Sequence, residues 1–411
     1  MATDATSPAR LTIWSQVKAL AGSPMAPYYF IAASVSILVG LGTLMVLSAS
    51  SAYALHNQVD PYYYVTRQLV FVVAGIVFAV IFSRIKPDLL RKLGWPAWAL
   101  AVVLLILVLS PLGQHSRGNQ NWLALGPGVQ FQPSEFAKLA LVVWCGAVFH
   151  LKRGRLHEPA QLAIPLIPLG GLILALVLAG KDLGTGLIIG LILVLVMWFI
   201  GTPLRVMIPL GTAAAVLVGL LVYGSGNRMS RISIFLDPQS NTDLSSQPMS
   251  ALYALASGGW WGLGLGASRQ KYGGLKDNAH TDFIFAVIGE ELGLFGALLV
   301  IGLFALLGWA GLAVAMRSDK MFNKVVASGV TGWFLSQAVI NIFVVMHLLP
   351  VLGVPLPFIS YGGSAMLACL MGTGVLLALA RDTPDARAYL ASRKKKSRPR
   401  MTSVMAATKE D

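Results

Sequence analysis

The run Leu183-Gly-Thr-Gly-Leu-Ile-Ile-Gly-Leu-Ile-Leu-Val-Leu-Val-Met-Trp-Phe-Ile-Gly201 contains no charged residue. A helix crossing a bilayer needs about 20 mostly apolar residues, and this run has that length and character. Lys181 and Asp182 stand directly before it. Nine further runs of the same kind flank it, so the chain reads as ten spans. They lie at about 28–52, 67–85, 94–112, 133–151, 161–179, 183–201, 204–224, 283–316, 325–349 and 358–381. The expected fold is an all-α polytopic membrane protein of about ten transmembrane helices.

Composition supports the spans. Of 411 residues, 56% are hydrophobic and 12% charged, whereas soluble proteins are about a quarter charged. No cleavable signal peptide pattern opens the chain, and the first apolar run, from near Tyr28, is expected to act as an uncleaved anchor. The expected division is a cytoplasmic N-terminal segment 1–27, a membrane domain 28–381 and a basic cytoplasmic tail 382–411. No internal repeat is visible. Cys145 and Cys369 sit inside apolar runs and read as small buried side chains. The formal net charge of +14 owes much to Arg393, Lys394, Lys395, Lys396, Arg398 and Arg400. In a membrane protein such a balance points to anionic lipid headgroups rather than nucleic acid.

Cation placement sets the orientation. Arg84, Lys86, Arg91 and Lys92 follow the second span. Lys152, Arg153 and Arg155 follow the fourth, and Arg317, Lys320 and Lys324 the eighth. The alternate short loops hold Arg117, Lys181 and no cation, respectively. Both termini are therefore expected in the cytoplasm. The long connection 225–282, between the seventh and eighth spans, falls outside as a large extracytoplasmic loop.

With that orientation the fourth, sixth, eighth and tenth spans begin at the outer face. The polar motifs sit at those beginnings: Gln132-Pro-Ser-Glu-Phe-Ala-Lys138, Lys181-Asp-Leu-Gly-Thr185, His280-Thr-Asp282 and Pro357-Phe-Ile-Ser-Tyr-Gly-Gly-Ser364. Arg117-Gly-Asn-Gln-Asn-Trp122 lies in the loop before the fourth span. Free N–H groups at helix N-termini favour anions, so converging ends suit a phosphate-bearing ligand in the outer leaflet. Each motif also has a plainer reading. Glu135 and Lys138 are three apart and neutralise each other on one face, although an ionisable pair inside a span is by default a functional candidate. Asp182 serves equally as an N-cap, and Tyr361-Gly-Gly-Ser364 as a close-packing device. Asp282 stands at the border of water and hydrocarbon, just before Phe283-Ile-Phe-Ala-Val-Ile288. Such a place suits a general base. At least one of Glu290 and Glu291, deeper in the long eighth span, is expected to pair internally with a cation. That span is expected to be tilted or to begin in a buried loop.

Gly258-Gly-Trp-Trp-Gly-Leu-Gly-Leu-Gly266 contains a superficial glycine-rich nucleotide pattern. It follows no Rossmann-type strand and is expected outside the cell, so the nucleotide reading is rejected. Walker, zinc and Ser/His/Asp motifs are absent from the sequence. A donor used at the outer face would be carried on a lipid pyrophosphate. A poised carboxylate would deprotonate an attacking hydroxyl while cations steady the leaving group.

These motifs, with Phe235-Leu-Asp-Pro238, Ala254–Gly259 and Gly289-Glu-Glu-Leu-Gly293, closely resemble the SEDS family (shape, elongation, division and sporulation), which includes FtsW and RodA. They cover the fourth to tenth spans in order. The resemblance implies a ten-helix peptidoglycan glycosyltransferase that polymerises lipid II beside a class B penicillin-binding protein. It implies Asp282 as the catalytic aspartate and places Lys138 and Glu135 in a central polar cavity. Arg231, Gln270 and Lys271 are the implied substrate contacts of the outer loop. With Arg117, Asp182, His280, Ser360 and Ser364 they complete the candidate substrate-binding set. One departure stands out: the family pattern Asn-Gly-x-x-Arg-Trp is here Arg117-Gly-Asn-Gln-Asn-Trp122, so the arginine before the tryptophan is missing. The basic tail, the polar N-terminal extension and the 254–293 stretch look more like FtsW, a septal enzyme of the bacterial cytoplasmic membrane with other division proteins as partners. The alternatives are a RodA-like elongation polymerase, a lipid II flippase and a division scaffold. No dedicated metal-ligand cluster is visible, and a divalent cation (Mg or Mn) near Asp282 would serve to counter pyrophosphate charge.

Overall fold

A computed structural model describes residues 22–116, 119–126, 129–155, 166–238, 242–275 and 277–396. Arg117, most of the N-terminal segment and the tail beyond Lys396 lie outside the described residues.

Among the described residues, ten apolar helices stand where the sequence places spans. Eight are long and apolar enough to cross a membrane: α1 (Ala26–His56), α2 (Tyr63–Arg84), α3 (Pro87–Leu109), α4 (Pro133–Leu151), α7 (Leu204–Tyr223), α10 (Ile284–Arg317), α11 (Met321–Val345) and α12 (Gly363–Arg381). Two are shorter, α5 (Leu166–Ala179) and α6 (Leu183–Phe199). Where lipid is as apolar as the helices, close packing and polar contacts hold them together. The helix α12 lies along α2, α4 along α3, and α10 against α1 and α11. At the centre α4 packs against α11, and Trp144 and Phe149 of the first and Trp333 and Phe334 of the second are buried. By contrast α7 has no buried residue.

Four features differ from the sequence expectation. The stretch before α4 is a three-stranded antiparallel sheet, β1 (Gly113–Ser116), β2 (Asn119–Gly126) and β3 (Val129–Phe131), so the fold is not purely helical. Its strands are too short for alternation to show in sequence. The 225–282 connection is not a simple loop: it holds α8 (Gly226–Leu236), α9 (Thr242–Ser257) and the turn Gln270–Tyr272. The tail, set apart in the sequence only as a basic segment from 382, begins with α13 (Pro384–Lys396). Asp382 anchors that helix by accepting from Lys320 Nζ (2.9 Å) and Asn323 Nδ2 (2.8 Å), and Arg387 pairs with Asp319 at 2.6 Å. The tenth span begins its helix at Gly363 rather than 358.

The long α10 is broken at Gly293, where φ is 67° and ψ −164°. A break frees carbonyls on one side and N–H groups on the other, and these must be satisfied inside protein at membrane depth. The glycine-rich 258–266 stretch does this by backbone pairing. Leu263 N donates to Glu290 O (2.9 Å) and Gly264 N to Glu291 O (3.0 Å). On the far side Leu294 N donates to Gly259 O (2.9 Å) and Phe295 N to Trp260 O (3.4 Å). A Cβ on Gly262 would stand 2.2 Å from Glu291 O. The glycines are there for backbone approach, and the eighth span begins as a buried helix over 284–291 rather than in a buried loop.

Candidate active site

The starts of α4, α6, α10 and α12 come together through their polar residues. Asp182 caps α6, accepting from Thr185 N (3.0 Å) and Thr185 Oγ1 (2.9 Å). The same carboxylate accepts from Asn121 Nδ2 of β2 (2.9 Å) and Gln132 Nε2 before α4 (3.3 Å). The N-cap reading and the convergence of motifs are therefore both present in one residue. Gln132 N donates to Ser364 Oγ at the start of α12 (3.1 Å).

Within α4, Lys138 and Glu135 are both almost fully buried and pair at 2.8 Å. Lys138 Nζ also donates to Gln337 Oε1 of α11 (3.0 Å) and stands over the Trp333 ring, 5.0 Å from its centroid. Glu135 Oε2 and the adjacent Ser134 Oγ are buried without a hydrogen-bond partner. Gln337 passes the contact on, its Nε2 donating to Pro355 O (2.9 Å). One turn further, Asn341 Nδ2 donates to Val354 O and to Asp282 O, each at 2.8 Å. A continuous polar path thus runs from Glu135 to the Asp282 backbone.

Asp282 itself is half-buried. Its carboxylate lies against Gly353, where an added Cβ would be 3.9 Å from Oδ2. Its neighbours are welded to the segment before α12. Tyr361 N donates to His280 O (2.8 Å), and Ser360 Oγ donates to Thr281 O (2.6 Å) while accepting from Leu356 N (2.8 Å). The His280 ring is enclosed by Tyr53, Tyr64 and Tyr361, with centroids 5.1–5.4 Å away. Buried Gln68 of α2 supports the same turn, its Nε2 donating to Ser360 O (3.4 Å) and its Oε1 accepting from Gly362 N (3.3 Å). Arg231, exposed on α8, donates to Val351 O (3.2 Å), two residues from Gly353.

The remaining outer-loop candidates sit differently. Lys271 is buried, its ammonium donating to Glu291 Oε1, Ser48 Oγ and Gly266 O, each at 2.9 Å. Gln270 N donates to Glu290 Oε2 (3.4 Å). The internal cation expected for the glutamate pair is therefore Lys271, on Glu291. Arg117 lies outside the described residues.

Sequence reasoning overlooked Gln337 and Asn341, which it left inside an apolar span. Trp333, Gln337 and Asn341 recur every four residues, which aligns them on one helix face, and that stripe was the available signal. Ser48, beside Ser50 and Ser51, and Gln68, beside Thr66 and Arg67, carried none.

A family model described as a cell cycle protein, for FtsW, RodA and SpoVE, matches residues 29–384. The chain belongs to this family. It is 36% identical over 371 residues to a probable peptidoglycan glycosyltransferase FtsW of Mycobacterium tuberculosis, covering 90% of this chain and 70% of that one. A protein of the same description from Trichlorobacter lovleyi is 37% identical over 342 residues, covering 83% and 89%. Among solved structures, a peptidoglycan synthase complex that coordinates polymerization and crosslinking matches with a TM-score of 0.71 at 29% identity, over 86% of this chain and 97% of that one. The rod shape determining protein RodA of Thermus thermophilus matches with a TM-score of 0.64 at 28% identity, over 86% and 96%. This member of the FtsW, RodA and SpoVE family is an integral membrane protein whose polar motifs meet at one set of helix ends.

Proposed function

We propose that this chain is a peptidoglycan glycosyltransferase that polymerises lipid II at the outer face of the bacterial cytoplasmic membrane, as an FtsW-like septal enzyme. The observation that carries the reading is the half-buried Asp282, fixed through its own and its neighbours' backbone at the meeting of four helix starts. Family membership supplies the reaction class, since the curated relatives are described as peptidoglycan glycosyltransferases.

In this reading Asp282 takes the proton from the acceptor sugar hydroxyl of one lipid II. The freed oxygen pair attacks the anomeric carbon of the growing chain. The bond to undecaprenyl pyrophosphate breaks, and the pyrophosphate leaves with the bonding electrons. Preorganised donors at the point of developing charge lower such a barrier most. Lys138 uses two of its three N–H groups on Glu135 and Gln337 and offers the third to a phosphate oxygen. Arg231 and Arg117 are the further cations proposed for the leaving group. Glu135, Asp182, Gln270, His280, Ser360 and Ser364 shape the remainder of the site.

Among the described residues no three His, Cys, Asp or Glu side chains gather as a metal-binding group. The residues do not fit a cation held by protein alone, and no step above runs through one.

The proposed partners are a class B penicillin-binding protein and other division proteins, with anionic lipid at the basic tail. The distribution of Lys and Arg supports cytoplasmic termini. The buried Lys138–Glu135 pair favours one rival, a lipid II flippase, because ionisable groups inside spans also mark transport paths. The deciding experiment is lipid II polymerisation by purified protein with and without its class B partner, comparing wild type with Asp282→Ala. Glycan chains from wild type and none from the variant are expected. Chains from both would remove Asp282 from catalysis. Lipid II translocation without chains, from folded wild type with partner, would establish the flippase.

A further inference from the structure

The reacting carboxylate sits at the end of a wound segment whose other end is held in an unusual way. In 268–275 and again in 277–283 the backbone closes in turns. Leu275 N donates to Gln270 O (3.1 Å), Asn278 N to Leu275 O (3.0 Å), and Phe283 N to Asn278 O (3.2 Å). The Asp282 end is fastened to Ser360, Tyr361 and Asn341. The opposite end is fastened by two carboxylates of α10. Glu290 accepts from Ser268 Oγ, Arg269 N (3.0 Å) and Gln270 N (3.4 Å). Glu291 accepts from Ser268 N (3.3 Å), Lys271 Nζ (2.9 Å) and Ser48 Oγ of α1 (2.7 Å).

Burial decides what Lys271 does there. Its side chain is 1% exposed and that of Glu291 0%. Each of its three N–H groups has an acceptor: Glu291, Ser48 and Gly266 O. An ammonium has three donors and no more, so none is left for a substrate oxygen. Gly266 closes the glycine-rich stretch that seals the break in α10, so the same ion pair also ties that stretch to α1.

We propose that Lys271 and Glu291 are a positioning pair for Asp282, with Ser48 as their anchor on α1, and not substrate contacts. This rests on the polymerase reading. The pair fixes where the 268–283 segment begins, and the turns carry that placement to the carboxylate. Removing one charge leaves the other buried and uncompensated, whereas removing both restores neutrality.

The test is a double-mutant cycle on lipid II polymerisation, with Lys271→Met, Glu291→Gln and the pair combined, reading kcat and KM separately. Each single variant is expected to lose about tenfold or more in kcat at unchanged KM, because misplacing a reacting group acts on the transition state. The combined variant is expected to recover most of that loss. A raised KM for Lys271→Met with no recovery in the combined variant would overturn the proposal and make Lys271 a substrate contact. If a single variant does not fold, Ser48→Ala reads the same coupling: a few-fold loss of kcat at constant KM supports positioning, and wild-type kinetics overturns it. Wild type that makes no chains would defeat the polymerase reading instead, which separates the two failures.

Discussion

Replacing Gly262 by alanine tests whether the glycine-rich stretch is the seal of the broken helix. The control is Gly264→Ala. Both residues have left-handed backbone, φ 80° at Gly262 and 100° at Gly264. Each substitution therefore carries the strain of a side chain in that region, about 1–2 kcal/mol. Their surroundings differ. A Cβ on Gly264 meets nothing within 4 Å, whereas one on Gly262 would be 2.2 Å from Glu291 O and 2.5 Å from Glu291 C. Those neighbours are backbone and cannot swing aside. The stretch must lift, which breaks the bonds of Leu263 N to Glu290 O and Gly264 N to Glu291 O. Leu263 and Gly264 are exposed and their N–H groups can turn to water, so two buried carbonyls, Glu290 O and Glu291 O, are left unpaired, at about 1–3 kcal/mol each. Gly262→Ala is then expected to cost roughly 3–8 kcal/mol against roughly 1–2 for Gly264→Ala. Reversible unfolding of both variants in mixed micelles measures the difference. Equal costs would refute the seal, because strain alone would then account for both.

Three further outcomes are expected. Asn341→Leu removes the amide that holds Asp282 O and Val354 O. It should slow lipid II polymerisation by about tenfold or more, measured as initial rate, and wild-type rates would show that the amide does not place the aspartate. Lys138→Met should destabilise by about 3–5 kcal/mol by stranding buried Glu135, and adding Glu135→Gln should restore most of it, as read by unfolding in micelles; a double variant as unstable as the single would contradict this. The third concerns α13. The Arg387 guanidinium beside Asp319 holds its carboxyl below the usual carboxylate range. A carboxylate depressed in the docked state favours docking above its undocked pKa and loses that contribution as pH falls through the lower, docked value. The helix should stay docked at neutral pH and loosen below the usual carboxylate range. A nitroxide on Ala391→Cys reports this as mobility, since Cys145 and Cys369 are buried; equal mobility at neutral and acid pH would argue against the clasp.

The spans were legible because hydropathy is local, and so were many residues of the candidate site, because polar groups at the starts of apolar runs stand out. Gln132, Asp182, Asp282, Ser360 and Ser364 lie at helix starts that the sequence places on one side; Gln132 bonds Asp182 and Ser364, while Ser360 and Asn341 hold the 281–282 backbone. What escaped the sequence depends on distant pairing. The 258–266 glycines make sense only beside 290–295, where their backbones bond. The short strands of 113–131 are held by one another and by Gln120 N donating to Gly180 O (2.9 Å). Lys271 looks like a loop cation in sequence, and nothing local reveals that Glu291 and Ser48 enclose it. Gln337 and Asn341 were the exception, legible through their spacing but lost in a strongly apolar helix.

The two ends of the helix bundle carry different kinds of polar structure, and that difference bears on polymerase against transporter. At the end expected in the cytoplasm, Asp382, Lys320, Asn323, Arg387 and Asp319 form a clasp that fastens α13 to the start of α11, with Asn323 Oδ1 left without a partner. At the other end, Asp282 is held through its own backbone by Asn341 and through the Thr281 backbone by Ser360. Buried Glu135 Oε2 and Ser134 Oγ there have no partner. Unpartnered acceptors in a buried site favour a ligand that brings donors, as sugar hydroxyls and amides do, while Lys138 beside them favours phosphate. A carrier serving both faces would need such a constellation within reach of both in turn. Here the four polar helix starts lie at one end, which favours the proposed transfer between two lipid-linked sugars at a single membrane face.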